Sequence, residues 1–159
     1  MEFAEPDTRI QVAAQAPADP LFDKQWALTS PIAGLNALQA WDSSLGRGIL
    51  VAVVDTGSRP HPDLVDQEVS GYDFISSSSI AKDGDGRDDD PTDNGDGCAG
   101  ARSSWHGTHV AGIIAAESGN AMGISGVAPG AKIVHARALG CGGGYSSDIA
   151  DAIQWASGG

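Results

Sequence analysis

Four groups of side chains in this sequence could do chemistry: a carboxylate at Asp55, an imidazole at His106, a run of aspartates between residues 83 and 96, and cysteines at 98 and 141. Asp55 follows the apolar run Gly48-Ile49-Leu50-Val51-Ala52-Val53-Val54 and precedes Thr56-Gly57. A carboxylate there is costly to bury unless its oxygens accept hydrogen bonds, and Thr56 and Gly57 offer donors in a tight turn. An Asp-x-Gly turn can also simply end a strand, so Asp55 alone reads either way. His106 opens the segment Gly107-Thr108-His109-Val110-Ala111-Gly112, whose small residues allow close backbone approach beside the ring. A histidine in a first helical turn feels the positive end of the helix dipole, which disfavours imidazolium and keeps the ring available as a neutral base. A buried carboxylate against its other nitrogen would fix the tautomer and stabilise the cation formed during proton transfer. Taken singly, His106 could be a structural ring; taken together, the two groups are complementary.

The elements that must position them follow from periodicity. Residues 48–54 form a continuous, largely β-branched apolar run, which predicts a strand buried on both faces and ending at Asp55. Val69 to Ile75 predicts a weaker strand, His106 to Glu117 a buried helix, and Lys132 to Leu139 an alternating strand entering the glycines at 140–144. Ser146 or Ser147 can cap a helix whose apolar face is Ile149, Ala152, Ile153 and Ala156, and Leu35, Leu38 and Trp41 predict a short helix near 35–43. Strands alternating with helices predict an α/β fold with a parallel sheet, in which chemistry gathers at the carboxyl ends of the strands. Residues 1 to 20, rich in Ala, Pro, Gln and Asp, read as a linker or the tail of a preceding segment, with no core expected there.

Composition narrows the function classes. The chain has 159 residues and a net charge of −12, with no basic stripe for a polyanion, so nucleic acid is not an expected partner. Its longest uncharged apolar runs fall far below the roughly 20 residues that cross a bilayer, so no membrane span is expected. Its first residues lack the basic-then-apolar pattern of a secretory signal. Glycines 140–144 lack the Lys-Ser/Thr of a phosphate loop, and the histidines lack zinc-site spacing.

Val53-Val54-Asp55-Thr56-Gly57, then His61-Pro62-Asp63-Leu64, then His106-Gly107-Thr108-His109-Val110-Ala111-Gly112 resemble, in order and spacing, the subtilisin-like serine endopeptidases. The resemblance extends from about residue 22 to 159 and includes Ile124-Ser125-Gly126-Val127-Ala128-Pro129 and Ala138-Leu139-Gly140. It implies a three-layer α/β fold, a parallel sheet flanked by helices, here incomplete: residues 21–159 as the N-terminal part of a catalytic domain, preceded by a linker or propeptide tail at 1–20. It implies that Asp55 orients His106 and that His106 is the general base for a serine nucleophile. Gly142, Gly143 and Gly144 match the segment that pairs with a polypeptide substrate as an edge strand. His109 and His61 match structural positions. The family's Gly-Thr-Ser-Met-Ala segment and its oxyanion-hole asparagine have no counterpart, so the nucleophile is expected from a missing C-terminal half, and this chain alone is expected to be inactive.

Seven of the residues from 83 to 96 are aspartates against one arginine, a segment charge of −6. Such carboxylates repel without a cation, and Asp83-Gly84-Asp85-Gly86-Arg87 has the alternating spacing of hard-cation loops. Calcium is expected, held by Asp83, Asp85, the Arg87 carbonyl, Asp90 and Asp96, the alternative being a solvated charged loop. Cys98 precedes the histidine segment and Cys141 lies in the loop implied to bind substrate; they either bridge, tying two walls of the site together, or remain free thiols. A bridge and the family resemblance imply an extracellular location. The expectation is therefore a calcium-stabilised serine endopeptidase acting through an acyl-enzyme. A non-catalytic calcium-binding or interaction module, or one half of a two-chain protease, is the alternative.

Overall fold

In a computed structural model, residues 16–158 are described. A 3-10 turn at Phe22–Lys24 and short helices α1 (Trp26–Thr29) and α2 (Ala37–Trp41) precede β1 (Leu50–Asp55) and β2 (Glu68–Asp73). Helices α3 (Ser78–Ala81) and α4 (His106–Ala115), strand β3 (Lys132–Arg137) and helix α5 (Ser146–Ala156) follow.

The three strands are parallel in the order β1-β3-β2, with Asp55 level with Arg137 and Asp73 level with it on the other side. All carboxyl ends therefore point one way. Side chains on a strand alternate between faces. Val53 and Ile133 pack with Leu64, Ala111 and Ala115 beneath α4, whereas Ala136 and Ala138 pack with Phe74 and Ala152 beneath α5. The result is a three-layer arrangement with α4 on one face of the sheet and α5 on the other.

Three expectations need adjusting. β3 does not alternate in burial, because it is the central strand and both its faces are covered; even His135 and Arg137 are buried. β1, at the edge of the sheet among the described residues, is not enclosed along its length: Leu50, and Ile49 just before it, are exposed, whereas Val53 and Asp55 are buried. Tyr145, in extended conformation, precedes α5, which begins at Ser146; neither Ser146 nor Ser147 supplies a side-chain cap. Of its expected apolar face, Ala152 is buried while Ile153 is exposed.

The expected linker at 1–20 lies outside the described residues as far as residue 15. Its end does contribute to the packed structure: Asp19 is buried and its carboxylate accepts from the Gly119 N–H and the Ser125 hydroxyl. Gln25 pairs with the Ser125 backbone in both directions, at 2.8 Å each, and the Trp41 indole donates to the Val127 carbonyl. These bonds strap the N-terminal helices, with their own cluster of Phe22, Leu28 and Ala37, onto the loop that leads into β3.

Candidate active site

Asp55 ends β1 at 8% exposure, so each of its oxygens needs a donor. Oδ1 accepts the Thr56 N–H at 2.7 Å, and Nδ1 of His106 lies 2.8 Å from both oxygens. A carboxylate only accepts, so Nδ1 carries the proton and Nε2 is left as the basic nitrogen. The His106 side chain is 60% exposed, so a proton donor can reach Nε2. Among the described residues no serine hydroxyl is bonded to it: Ser104 donates to Asp96, Ser125 donates to Asp19 and accepts from Ser118, and the Ser103 oxygen accepts from Gly97.

Two loops must interlock to bring residues 51 positions apart together, and the small residues of the motifs are what permits it. The Gly107 N–H donates to the Thr56 hydroxyl at 3.0 Å, and the Arg59 N–H to the Thr108 hydroxyl at 2.8 Å. A Cβ at Gly107 would collide with the Gly57 carbonyl. Gly57, at φ +94°, is itself wedged between the Pro91 carbonyl and the Arg137 side chain. The Arg59 guanidinium stacks 4.9 Å from the centre of the Trp105 ring, covering the turn before α4.

His61 and His109 lie apart from this pair. Both line an apolar cavity of about 340 Å³ beside α4, with Leu64, Trp105 and Ile124, and His61 Nδ1 accepts the Asp63 N–H within its own turn.

Cys98 and Cys141 form a disulfide that joins the segment before α4 to the glycine loop after β3. In that loop the Gly143 N–H and C=O both pair with Gly140, at 3.1 and 2.8 Å. Gly144 is small because the Ala138 carbonyl lies where its Cβ would go, a demand of the chain's own packing that the sequence did not reveal. Gly142 and Gly143 have positive φ, and the space beside Gly143 is open.

Several aspartates of the acidic loop meet donors of the protein itself. Among the described residues, no three His, Cys, Asp or Glu side chains converge in a way that would hold a metal ion. Asp83 pairs with the buried Arg137, which also holds Asp73 and the Ala81 carbonyl. The Arg87 side chain pairs with Asp148 at 2.6 Å and Asp151 at 2.7 Å on α5. Asp90 accepts from Thr92, Asp96 from Ser104, and the Asp85 N–H donates weakly to Asp83. Of the two guanidinium groups, only that of Arg137 meets an expected ligand, Asp83; that of Arg87 turns to α5. One carboxylate the sequence did not distinguish is Asp93, which is buried and bonded to Thr56 and the Gly95 N–H.

Fold and site place the chain among α/β proteins that hold a carboxylate-imidazole pair above the carboxyl ends of a parallel sheet. Its residues 46–158 match the subtilase family of peptidases. It is 50% identical over 160 residues to an extracellular protease of Xanthomonas campestris, covering 95% of this chain and 28% of that protein. To an extracellular basic protease of Dichelobacter nodosus it is 44% identical over 173 residues, covering all of this chain and 28% of that protein. A solved protease structure from Pseudoalteromonas arctica superposes with a TM-score of 0.87 at 53% identity, over 91% of this chain and 45% of that one. The chain belongs to the subtilase family, and it spans a little over a quarter of the length of those two relatives.

The cluster at the sheet's carboxyl end carries a pH signature. Burial pushes the Asp73 carboxyl up from 3.8 to about 6, against the opposing pull of the Ile75 N–H and Arg137. Burial also pushes on Asp83, Asp96 and Asp148, but their hydrogen bonds, to Arg137, to Ser104, and to Ser76 and Arg87 respectively, outweigh it and hold all three below the usual range. Between 3.8 and about 6 the folded chain retains a proton on Asp73 that the unfolded chain has lost, so this residue makes stability fall as pH rises through that window. The other three act oppositely, their contribution present above the ordinary carboxylate pKa and lost as pH falls below it. Asp73→Asn is therefore expected to flatten the decline in unfolding free energy between pH 4 and 6 (about the span of the shift) without protecting against unfolding at lower pH. Urea titrations across that range check it.

Proposed function

We propose that this chain is the part of a secreted serine endopeptidase that supplies the acid-base half of an Asp-His-Ser triad. The observation carrying the reading is the bond between Asp55 and the Nδ1–H of His106, on a ring whose side chain is 60% exposed. The names of the two relatives, both extracellular proteases, support secretion and a polypeptide substrate.

In this reading Nε2 of His106 takes the proton of a serine hydroxyl as its oxygen forms a bond to the scissile carbonyl carbon. The carbonyl π pair moves to its oxygen, then returns as the C–N bond breaks, and the proton on Nε2 goes to the leaving amine. The serine ester that remains is hydrolysed by water through the same base. Asp55 stays ionised throughout, orienting the ring and stabilising its cation. The serine comes from a C-terminal part beyond this sequence. Gly142, Gly143 and Gly144 are the proposed substrate-pairing positions; Gly143 pairs with a substrate only by releasing the N–H and C=O it shares with Gly140.

A serine-directed phosphonate is expected to leave this chain unlabelled and to label the protease once the serine-bearing part is joined. In that complete form, Asp55→Asn should lower kcat by about ten-thousandfold, as loss of a triad carboxylate does. Labelling of the chain alone, or a complete form indifferent to Asp55→Asn, would remove the triad assignment.

Calcium in the 83–96 loop is proposed on its composition alone, with Asp83, Asp85, the Arg87 carbonyl, Asp90 and Asp96 as ligands. An ion entering there has to draw Asp83 away from Arg137. Millimolar calcium should raise the melting temperature of the parent and not of Asp85→Asn. No rise in the parent removes the calcium proposal and leaves Arg137 as the cation paired with Asp83.

A further inference from the structure

Helix α4 carries His106 as its first residue, yet it has no cap of its own. The preceding residue, Trp105, is left-handed at φ 53° and makes no side-chain cap bond. The first N–H groups of a helix lack intrahelical acceptors, and a buried one has to find another. The Gly107 N–H finds the hydroxyl of Thr56, 51 residues away on the other loop.

That hydroxyl has one hydrogen to give. Gly107 can only donate, so the Thr56 oxygen accepts from it, and the hydroxyl hydrogen goes to Oδ2 of Asp93 at 2.8 Å. Asp93 is 1% exposed, and its other oxygen accepts the Gly95 N–H at 2.7 Å. Its own N–H donates to the Ser58 carbonyl at 2.8 Å, fixing it against the Asp55 loop. Every hydrogen in the chain Gly107 N–H, Thr56 O–H, Asp93 carboxylate therefore has one direction only.

The geometry points to Thr56 and Asp93 as positioning residues for the Asp55-His106 pair. Asp55 and Thr56 are neighbours, as are His106 and Gly107, so the two loops are joined by parallel bonds at consecutive residues. Without the Thr56 bond the loops would be joined at His106 and, two residues on, through the Arg59 N–H and the Thr108 hydroxyl, leaving Gly107 between them unheld. The Thr56 bond, held by the buried carboxylate of Asp93, fixes the backbone next to His106 and so the seat of the ring against Asp55. Neither residue touches the reacting atoms. The inference rests on the proteolytic reading for its catalytic consequence, but not for its geometric one.

The test compares Thr56→Val, which keeps shape and removes the hydroxyl, with Thr56→Ser, which keeps the hydroxyl, and with Asp93→Asn. In the complete protease, Thr56→Val and Asp93→Asn should lower kcat by about tenfold to a hundredfold with KM changed less than about twofold, and Thr56→Ser should recover most of the loss, since small misplacements of catalytic groups cost rates of that order. In this chain alone, three-bond couplings should show one His106 χ1 rotamer for the parent and Thr56→Ser, and rotamer averaging for Thr56→Val. Variants that lower only the melting temperature, with kcat and the His106 rotamer unchanged, overturn the proposal. Rotamer averaging together with a complete form that hydrolyses no peptide removes the proteolytic reading while supporting the positioning role.

Discussion

Asp55 sits at the enclosed end of an edge strand with 8% of its surface exposed, and its oxygens are satisfied by one backbone N–H and one imidazole N–H. A carboxylate buried without donors costs several kcal/mol, on the order of 2–7 for an unpaired polar group and more for a charge. The position of α4 is constrained accordingly: His106 has to begin that helix at the mouth of β1, and everything between the two must let it. Gly57 and Gly107 permit backbone contact where any side chain would collide, and Thr56 and Thr108 supply oxygens to N–H groups of the facing segment. The sheet beneath contributes rigidity, with β3 covered on both faces between α4 and α5.

The same carboxyl end of the sheet concentrates negative charge, and arginines manage it. Arg137, buried at the tip of β3, lies between β1 and β2 and holds Asp73 and Asp83; Arg87 reaches α5 and holds Asp148 and Asp151. Removing one partner from the Arg137–Asp73 pair would strand a buried charge, whereas Arg87 and Asp151 are both partly exposed. The disulfide adds a covalent tie between this region and the glycine loop; closing 43 residues stabilises by roughly 4 kcal/mol where chain entropy dominates.

The Asp-Thr-Gly and His-Gly-Thr-His segments were legible in the sequence because each letter answers a demand of contact between two backbones, which few residue types meet. The β1 run is legible as a strand, but not the exposure of Ile49 and Leu50 at its start, since an apolar run does not say how far its cover extends. Asp-x-Asp spacing makes the acidic loop legible as a cation-binding candidate, but not the pairing of Asp83 with Arg137, 54 residues away and hidden in a strand pattern. Asp93 was one aspartate among seven. Its burial and its link to Thr56 depend on how the loop folds over Ser58, which no local pattern encodes. Gly144 illustrates the converse: a glycine in the expected place, required by Ala138 within the chain.

The central claim is that Asp55 holds the proton of His106 on Nδ1 and leaves Nε2 basic. Nitrogen-15 correlation spectra of the His106 ring at neutral pH test it most directly. The pair described here gives a protonated Nδ1 with a strongly downfield proton signal, an unprotonated Nε2, and loss of that signal in Asp55→Ala. A proton residing on Nε2, or a ring spectrum unchanged by Asp55→Ala, would contradict it.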